Sequence, residues 1–174
     1  LSLVLSPAFG QDETAFAGTE SGLFRSTNGG RAWRETGFPA ELAPVVSLAI
    51  SPSFRHDGLL WAGTESSGIY CSRDVGLTWT RWGIDVGGAV NRILVTTGDP
   101  ATFELMVLAG DGLLVSHSGG NSWDEWRPDM PPGCTLTAAA APLGLAGEAP
   151  LLLGCADGSV HRVSWPRKGG ATCA

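Results

Sequence analysis

Apolar residues along this chain fall in short runs, partly alternating with small or hydroxyl residues, and each run ends at a turn signal. The first is Leu1-Ser2-Leu3-Val4-Leu5-Ser6-Pro7, and it returns 45 residues later as Val46-Ser47-Leu48-Ala49-Ile50-Ser51-Pro52. In residues 1–5 one face is wholly apolar and the other mixed, the period-two signature of a strand. Second strands are predicted at 14–20 and 59–65, third strands at 23–26 and 69–72, and fourth strands at 33–36 and 79–82. A third unit reads as strands over 91–95, 104–109, 112–116 and 123–126, and a fourth over 135–141, 151–155 and 159–164. No window sustains the three-and-four spacing of an amphipathic helix, so almost no helix is expected.

Between the third and fourth strands of each unit the same stretch recurs. Ser72-Arg73-Asp74-Val75-Gly76-Leu77-Thr78-Trp79 has counterparts in Ser26-Thr27-Asn28-Gly29-Gly30-Arg31-Ala32-Trp33 and Ser116-His117-Ser118-Gly119-Gly120-Asn121-Ser122-Trp123. The serines lie 46 and 44 residues apart, the length of one four-stranded propeller blade. A tight turn needs a short side chain that accepts hydrogen bonds from nearby N–H groups, as Asp74, Asn28 and Ser118 can. It needs glycine where φ is positive, the place of Gly30, Gly76 and Gly120. Thr78 and Ser122 can bond locally, and Trp33, Trp79 and Trp123 are expected to plug the space between strands. Ser26, Ser72, Ser116 and their partners are therefore read as structural. A decayed fourth copy, with Cys173 in place of Trp, is read from Ser164 onward. The fold expected is an all-β propeller of four-stranded antiparallel blades, with about four present and the last incomplete. It forms one domain or a propeller segment, in units 1–45, 46–89, 90–133 and 134–174.

These boxes resemble the BNR/Asp-box repeats (Ser-x-Asp-x-Gly-x-Thr-Trp) of β-propellers. Such repeats occur in sialidases, sortilin-type receptors, xyloglucan-degrading glycosidases and photosystem II assembly-factor-like proteins. Only the second unit matches the pattern fully: Asn28 and Ser118 replace Asp, and Ala32 replaces Thr. The resemblance implies the fold far more than the activity, because the box is shared across those functions. If a box held a cation, Asp74 would be the residue with the family's carboxylate.

Composition narrows the function classes. The chain has 43% hydrophobic residues, 16% charged residues, 25 glycines and 11 prolines, which suits many turns between short strands and excludes a disordered chain. A net charge of −6 without a basic stripe argues against nucleic acid or an anionic membrane surface as partner. No apolar run reaches the length of a membrane span. An extracytoplasmic location is expected, although no targeting signal is visible. None of the four cysteines sits in a C-x-x-C pair, so neither zinc nor any other metal or cofactor is expected. Pairing residue 141 with about 151 brings Cys134 close to Cys155, a candidate disulfide.

In propellers of this kind the turn between the second and third strands lies on the rim opposite the box. That rim carries one acid per unit, Glu20, Glu65, Asp111 and Asp157. They form a candidate binding arc for a protein or glycan partner, a basic partner or a cation, although a turn also favours such residues for itself. No catalytic residue is assigned. Sialidase-like propellers use an arginine cluster and a tyrosine nucleophile, whereas Tyr70 is the only tyrosine here and Arg92 the only arginine in an innermost strand. Paired acids such as Glu20 with Glu65, or Glu65 with Asp111, keep a glycoside hydrolase or a fragment of one as the alternative. Arg25, Arg31, Arg34 and Arg73 are expected to pair with local acids or stack on Trp. The histidines, His56, His117 and His161, are read as surface or packing residues. Three ways of closing the ring stay open: a small four-blade ring, a homodimer of about eight blades, or additional blades from a larger chain.

Overall fold

The computed structural model describes residues 1–83, 85–86, 88–96, 103–145 and 149–165. The fourth box read from Ser164 onward lies outside them, except for Ser164 and Trp165. The chain forms four antiparallel meanders. Blade 1 comprises β1 (Ser2–Leu5), β2 (Ala15–Thr19), β3 (Gly22–Ser26) and β4 (Arg34–Glu35). Blade 2 comprises β5 (Val45–Ile50), β6 (Leu60–Thr64), β7 (Ile69–Ser72) and β8 (Thr80–Arg81). Blade 3 comprises β9 (Val90–Val95), β10 (Leu105–Ala109), β11 (Gly112–Ser116) and β12 (Asp124–Trp126). Blade 4 has three described strands, β13 (Leu136–Ala140), β14 (Pro150–Cys155) and β15 (Val160–Ser164). The innermost strand of each later blade lies along the two inner strands of the blade before it: β5 along β1 and β2, β9 along β5 and β6, β13 along β9 and β10. This is the radial stacking of an all-β propeller.

Two helical turns, α1 (Phe9–Asp12) and α2 (Phe54–Asp57), link the first and second strands of blades 1 and 2. They begin at the Phe that ends each repeated Ser-Pro-x-Phe stretch. A single turn is too short to leave a periodic signal, so hydrophobic patterning does not reveal it.

Three hydrophobic layers hold the blades together, one per interface. Phe16 and Leu23 of blade 1 meet Val45, Leu48, Leu60 and Ala62 of blade 2. Ala49, Trp61 and Ile69 meet Val90, Ile93, Leu105 and Val107 of blade 3. Met106, Leu108 and Val115 then meet Leu136, Ala139, Leu151 and Leu153 of blade 4. A middle blade is covered on both faces, so β6 and β10 are buried at every position. Alternate residues serve opposite layers, Leu60 and Ala62 facing blade 1 while Trp61 faces blade 3. The outermost strands β4 and β8 are two residues long and exposed, which keeps the blade edges short.

Glycine sets how closely the blades approach. A Cβ on Gly18 would lie 2.6 Å from Val45, and one on Gly63 would lie 2.5 Å from Val90. In each case the first inner residue of the following blade fills the slot. Gly154 holds the same register place in blade 4, opposite Ala138 as Gly63 is opposite Ser47. Among the described residues its Cβ would meet only Ala138, so none of them from a further blade fills that slot. At the other end, blade 1 presents Leu1, Leu3 and Leu5 at 82%, 65% and 47% exposure. The counterpart of Leu3 in blade 2, Leu48, is buried against blade 1.

Candidate functional site: the box turns and the opposite rim

The three boxes share one hydrogen-bond scheme. The buried hydroxyls of Ser26, Ser72 and Ser116 each accept from the amide of the box glycine at 2.9 Å, from Gly30, Gly76 and Gly120 respectively. The third residue then accepts from the seventh: Asn28 Oδ1 from Ala32 N at 2.9 Å, Asp74 Oδ1 from Thr78 N at 2.8 Å, and Ser118 Oγ from Ser122 N at 2.9 Å. In two boxes a side-chain contact is added: Thr78 Oγ1 donates to Asp74 Oδ2 at 2.6 Å, and Ser118 Oγ lies 2.8 Å from Ser122 Oγ. The Thr78 hydroxyl and amide and the Ser72 hydroxyl hold the Asp74 carboxyl down at about 2. The three box glycines have φ of +86°, +89° and +86°, conformations that L side chains resist.

The box tryptophans differ from the buried plugs expected of them. Trp33 is 38% exposed, and Trp79 and Trp123 are half-buried. Each donates its Nε1–H to the carbonyl of its own box glycine at 3.1–3.2 Å. The indole thus closes the turn with its polar edge and covers the neighbouring layer with its ring, Trp79 packing edge-on to Phe38 at 5.3 Å.

A second repeated device on the box rim was not read from the sequence. Ser6 Oγ donates to Asp12 Oδ2 at 2.6 Å, and Ser51 Oγ to Asp57 Oδ2 at 2.6 Å. The other oxygen of each carboxylate accepts from Thr14 N or Leu59 N at 2.9 Å. The matching Asp12 and Asp57, at the same 45-residue offset as the Ser-Pro-x-Phe stretch, were the available signal. In blade 3 the corresponding region carries a different network. Glu104 binds His117 Nδ1 at 2.8 Å and accepts from Trp165 Nε1 at 2.5 Å, and His117 stacks edge-on to Trp165. His117 is thus a fastening between blade 3 and the end of β15.

The arginines follow the expected pairing with local acids in part. Arg31 pairs with Glu13 at 3.4 Å. Arg25 lies over the ring of Phe16, not over a Trp, and donates to the Val75 carbonyl at 3.3 Å. Arg25 and Arg34 line a cleft of about 430 Å³ between the first two boxes. Tyr70 packs edge-on to Phe38, and Arg92 is exposed on β9, so the two are spent in different blades.

The opposite rim has another character. Glu20, Glu65, Asp111 and Asp157 sit in the β2–β3, β6–β7, β10–β11 and β14–β15 turns, all exposed. Backbone bonds tie three of these turns to the adjacent connectors, from Glu65 N to Pro44 O, Gly110 N to Ala89 O and Ala156 N to Thr135 O, at 2.9–3.1 Å. Glu20 and Glu65 share a depression of about 400 Å³ with Leu1, Pro44 and Val46. Asp111 lines a second, of about 440 Å³, with Glu125, Arg127, Met130 and Cys134. Asp157 is engaged locally: Ser159 Oγ and N donate to it at 2.7 and 2.8 Å, which lowers its carboxyl below the usual range. Among the described residues, Glu20, Glu65 and Asp111 have no ion-pair partner. The four acids form an arc, not a cluster. Among the described residues, the three side chains close enough to share a metal ion are Cys134, Cys155 and His161. Cys134 and Cys155 are joined as a disulfide, with Cα atoms 5.6 Å apart.

No family model and no curated protein matches this chain. Solved structures do. An ancestral GH74 enzyme superposes with TM-score 0.71 at 19% identity, over 92% of this chain and 22% of its own. The GH74 enzyme of Niastella koreensis gives 0.63 at 17%, over 94% and 30%. YCF48 bound to a D1 peptide gives 0.55 at 12%, over 92% and 63%. The chain spans less than two thirds of each of these proteins. At such identities the likeness shows the fold, and the fold it shows is the β-propeller.

Proposed function

We propose that this chain is an arc of a BNR/Asp-box propeller that serves as a binding or assembly scaffold, meeting its partner on the rim opposite the boxes. The observation that carries the reading is the contrast between the two rims. The polar groups of the boxes are used up on one another, whereas Glu20, Glu65 and Asp111 stand exposed beside depressions on a rigid scaffold, where binding loops tend to lie. A partner fitting that arc presents basic groups. YCF48, a propeller of related shape, is known bound to a D1 peptide, which supports a peptide-like partner. The Cys134–Cys155 disulfide supports an extracytoplasmic site of action, since such bonds persist in oxidising compartments.

The end faces bear on assembly. The exposed Leu3 and Leu5 of blade 1 and the Gly154 slot of blade 4, which no further blade among the described residues fills, correspond to the two sides of the interface that recurs between the blades. Further blades of the same repeat, from a second copy or from a longer chain, would cover both. A second reading, a glycoside hydrolase fragment, rests on Glu20 and Glu65 sharing one depression and on the GH74 likeness.

The rim reading is tested by titrating a lysine-rich peptide into the chain and into its Glu20→Gln/Glu65→Gln/Asp111→Asn variant. Binding lost in the variant supports it, and equal binding or none contradicts it. Polysaccharide hydrolysis abolished by Glu65→Gln would favour the enzyme reading instead.

A further inference from the structure

Blade 4 brings two sulfurs and an imidazole to one place. Cys134 precedes β13, Cys155 closes β14, and His161 lies on β15 opposite Leu153. Their ligating atoms all fall within 4.8 Å of one another. Cys155 is buried and the other two are half-buried. The three come from three neighbouring segments of one sheet, so ladder hydrogen bonds set their separation. The Cα distance of 5.6 Å accommodates a disulfide, and it equally lets two thiolates flank one ion. With metal–sulfur bonds of about 2.3 Å, a tetrahedral site asks for sulfurs about 3.8 Å apart.

His161 is held from behind. Its Nε2 lies 2.9 Å from Ser159 Oγ, and that hydroxyl lies 2.7 Å from Asp157 Oδ1. With Ser159 donating to the carboxylate, Nε2–H donates to Ser159, and Nδ1 is the ring nitrogen that carries the lone pair. A carboxylate that reaches a histidine in this way fixes its tautomer and raises its basicity as a ligand. Cys134 lines the cleft of about 440 Å³ between blades 3 and 4, which provides an approach from solvent. The spacing of 134, 155 and 161 resembles no sequence motif, because the ligands meet across strands and not within a turn.

We propose that Cys134, Cys155 and His161 form, in the reduced chain, a binding site for a thiophilic divalent cation of the Zn²⁺ class, and that the disulfide is the metal-free, oxidised form of the same site. A dithiol reductant supplies two electrons and two protons to open the S–S bond, and itself becomes a disulfide. The cation then displaces the two thiol protons and binds two thiolates and the imidazole. Two sulfurs and a nitrogen select such an ion over Mg²⁺ or Ca²⁺. In an oxidising compartment the disulfide form prevails, and the cation form is reached before oxidation or after reduction.

The test uses the whole chain, reduced with a phosphine, and Co²⁺ as a spectroscopic stand-in. The expected result is one Co²⁺ per chain with tetrahedral thiolate absorption, bleached by Zn²⁺ and absent from the oxidised chain. His161→Gln, which keeps both cysteines, should weaken binding more than tenfold. Asp157→Asn should weaken it by about tenfold, as loss of an outer-shell partner does. Tryptophan fluorescence reports whether the reduced chain stays folded. The proposal is overturned if the reduced chain binds no Co²⁺, folded or not. It is equally overturned if Cys134→Ser/Cys155→Ser binds as well as wild type, or if His161→Gln leaves the affinity unchanged.

Discussion

At the scale of the residue, the box of blade 2 carries a carboxylate, Asp74, at its third position, where the boxes of blades 1 and 3 carry Asn28 and Ser118. Asp74 has its carboxyl lowered from 3.8 to about 2. A lowered folded-state value means that ionised Asp74 stabilises the fold above about pH 3.8, and that this contribution is lost as pH falls through about 2. Asp74→Asn keeps an oxygen for Thr78 N but loses the acceptor for Thr78 Oγ1. It should lower the melting temperature at pH 7, with the gap from wild type shrinking below pH 4 and closing near pH 2 (about, in each case). A second prediction concerns the blade spacing. Gly63→Ala places a methyl 2.5 Å from Val90 and against Ser47, and overpacking of this kind costs about 1–3 kcal/mol. Gly154→Ala, whose methyl would meet only Ala138 among the described residues, should cost less, and urea denaturation of the two variants compares them. Cys71 gives a control: burial pushes its thiol up to about 11, so it should resist alkylation until the chain unfolds.

At the scale of the element, the sequence spoke clearly wherever a strand met a repeated turn. The strands predicted at 69–72 and 112–116 are β7 and β11 to the residue, because a box or a glycine bounds each. The pairing of residue 141 with about 151 agrees with the observed pairing of Ala140 with Leu152. Beyond that, a bulge between Leu136 and Ala138 shifts the register and pairs Leu136 with Cys155. Patterning could not show that Asp12 and Asp57 close their turns, since one helical turn carries no period. Nor could it join Glu104 to Trp165, 61 residues apart, or His161 to the cysteines, because those contacts exist only once strands from different turns lie side by side. Packing carries the largest expected effects at this scale. Trp61 is fully buried between blades 2 and 3, and Trp61→Ala should cost about 3–5 kcal/mol. Trp61→Phe should cost less, since it also removes an indole N–H that has no hydrogen-bond partner among the described residues. The Cys134–Cys155 bridge spans 21 residues, and Cys134→Ala/Cys155→Ala should cost about 3 kcal/mol if loop-closure entropy governs. Guanidinium unfolding measures all three.

At the scale of the whole molecule, the described blades make an arc with two unlike ends. One end offers exposed leucines, among them Leu3, whose counterpart Leu48 is buried, and the other a glycine slot that no further described blade fills. A propeller normally leaves no such face open to water. The same geometry puts the spent polar groups of the boxes on one rim and the exposed acids Glu20, Glu65 and Asp111 on the other, so the proposed assembly and recognition would use different surfaces. Sedimentation velocity of the isolated chain over a range of concentrations, with and without Leu3→Glu/Leu5→Glu, tests this most directly. Self-association that the paired substitution abolishes, while Glu20→Gln/Glu65→Gln leaves it intact, is the predicted result. A compact monomer at every concentration, unaltered by charges at Leu3 and Leu5, would contradict the open arc and point to a closed four-blade ring.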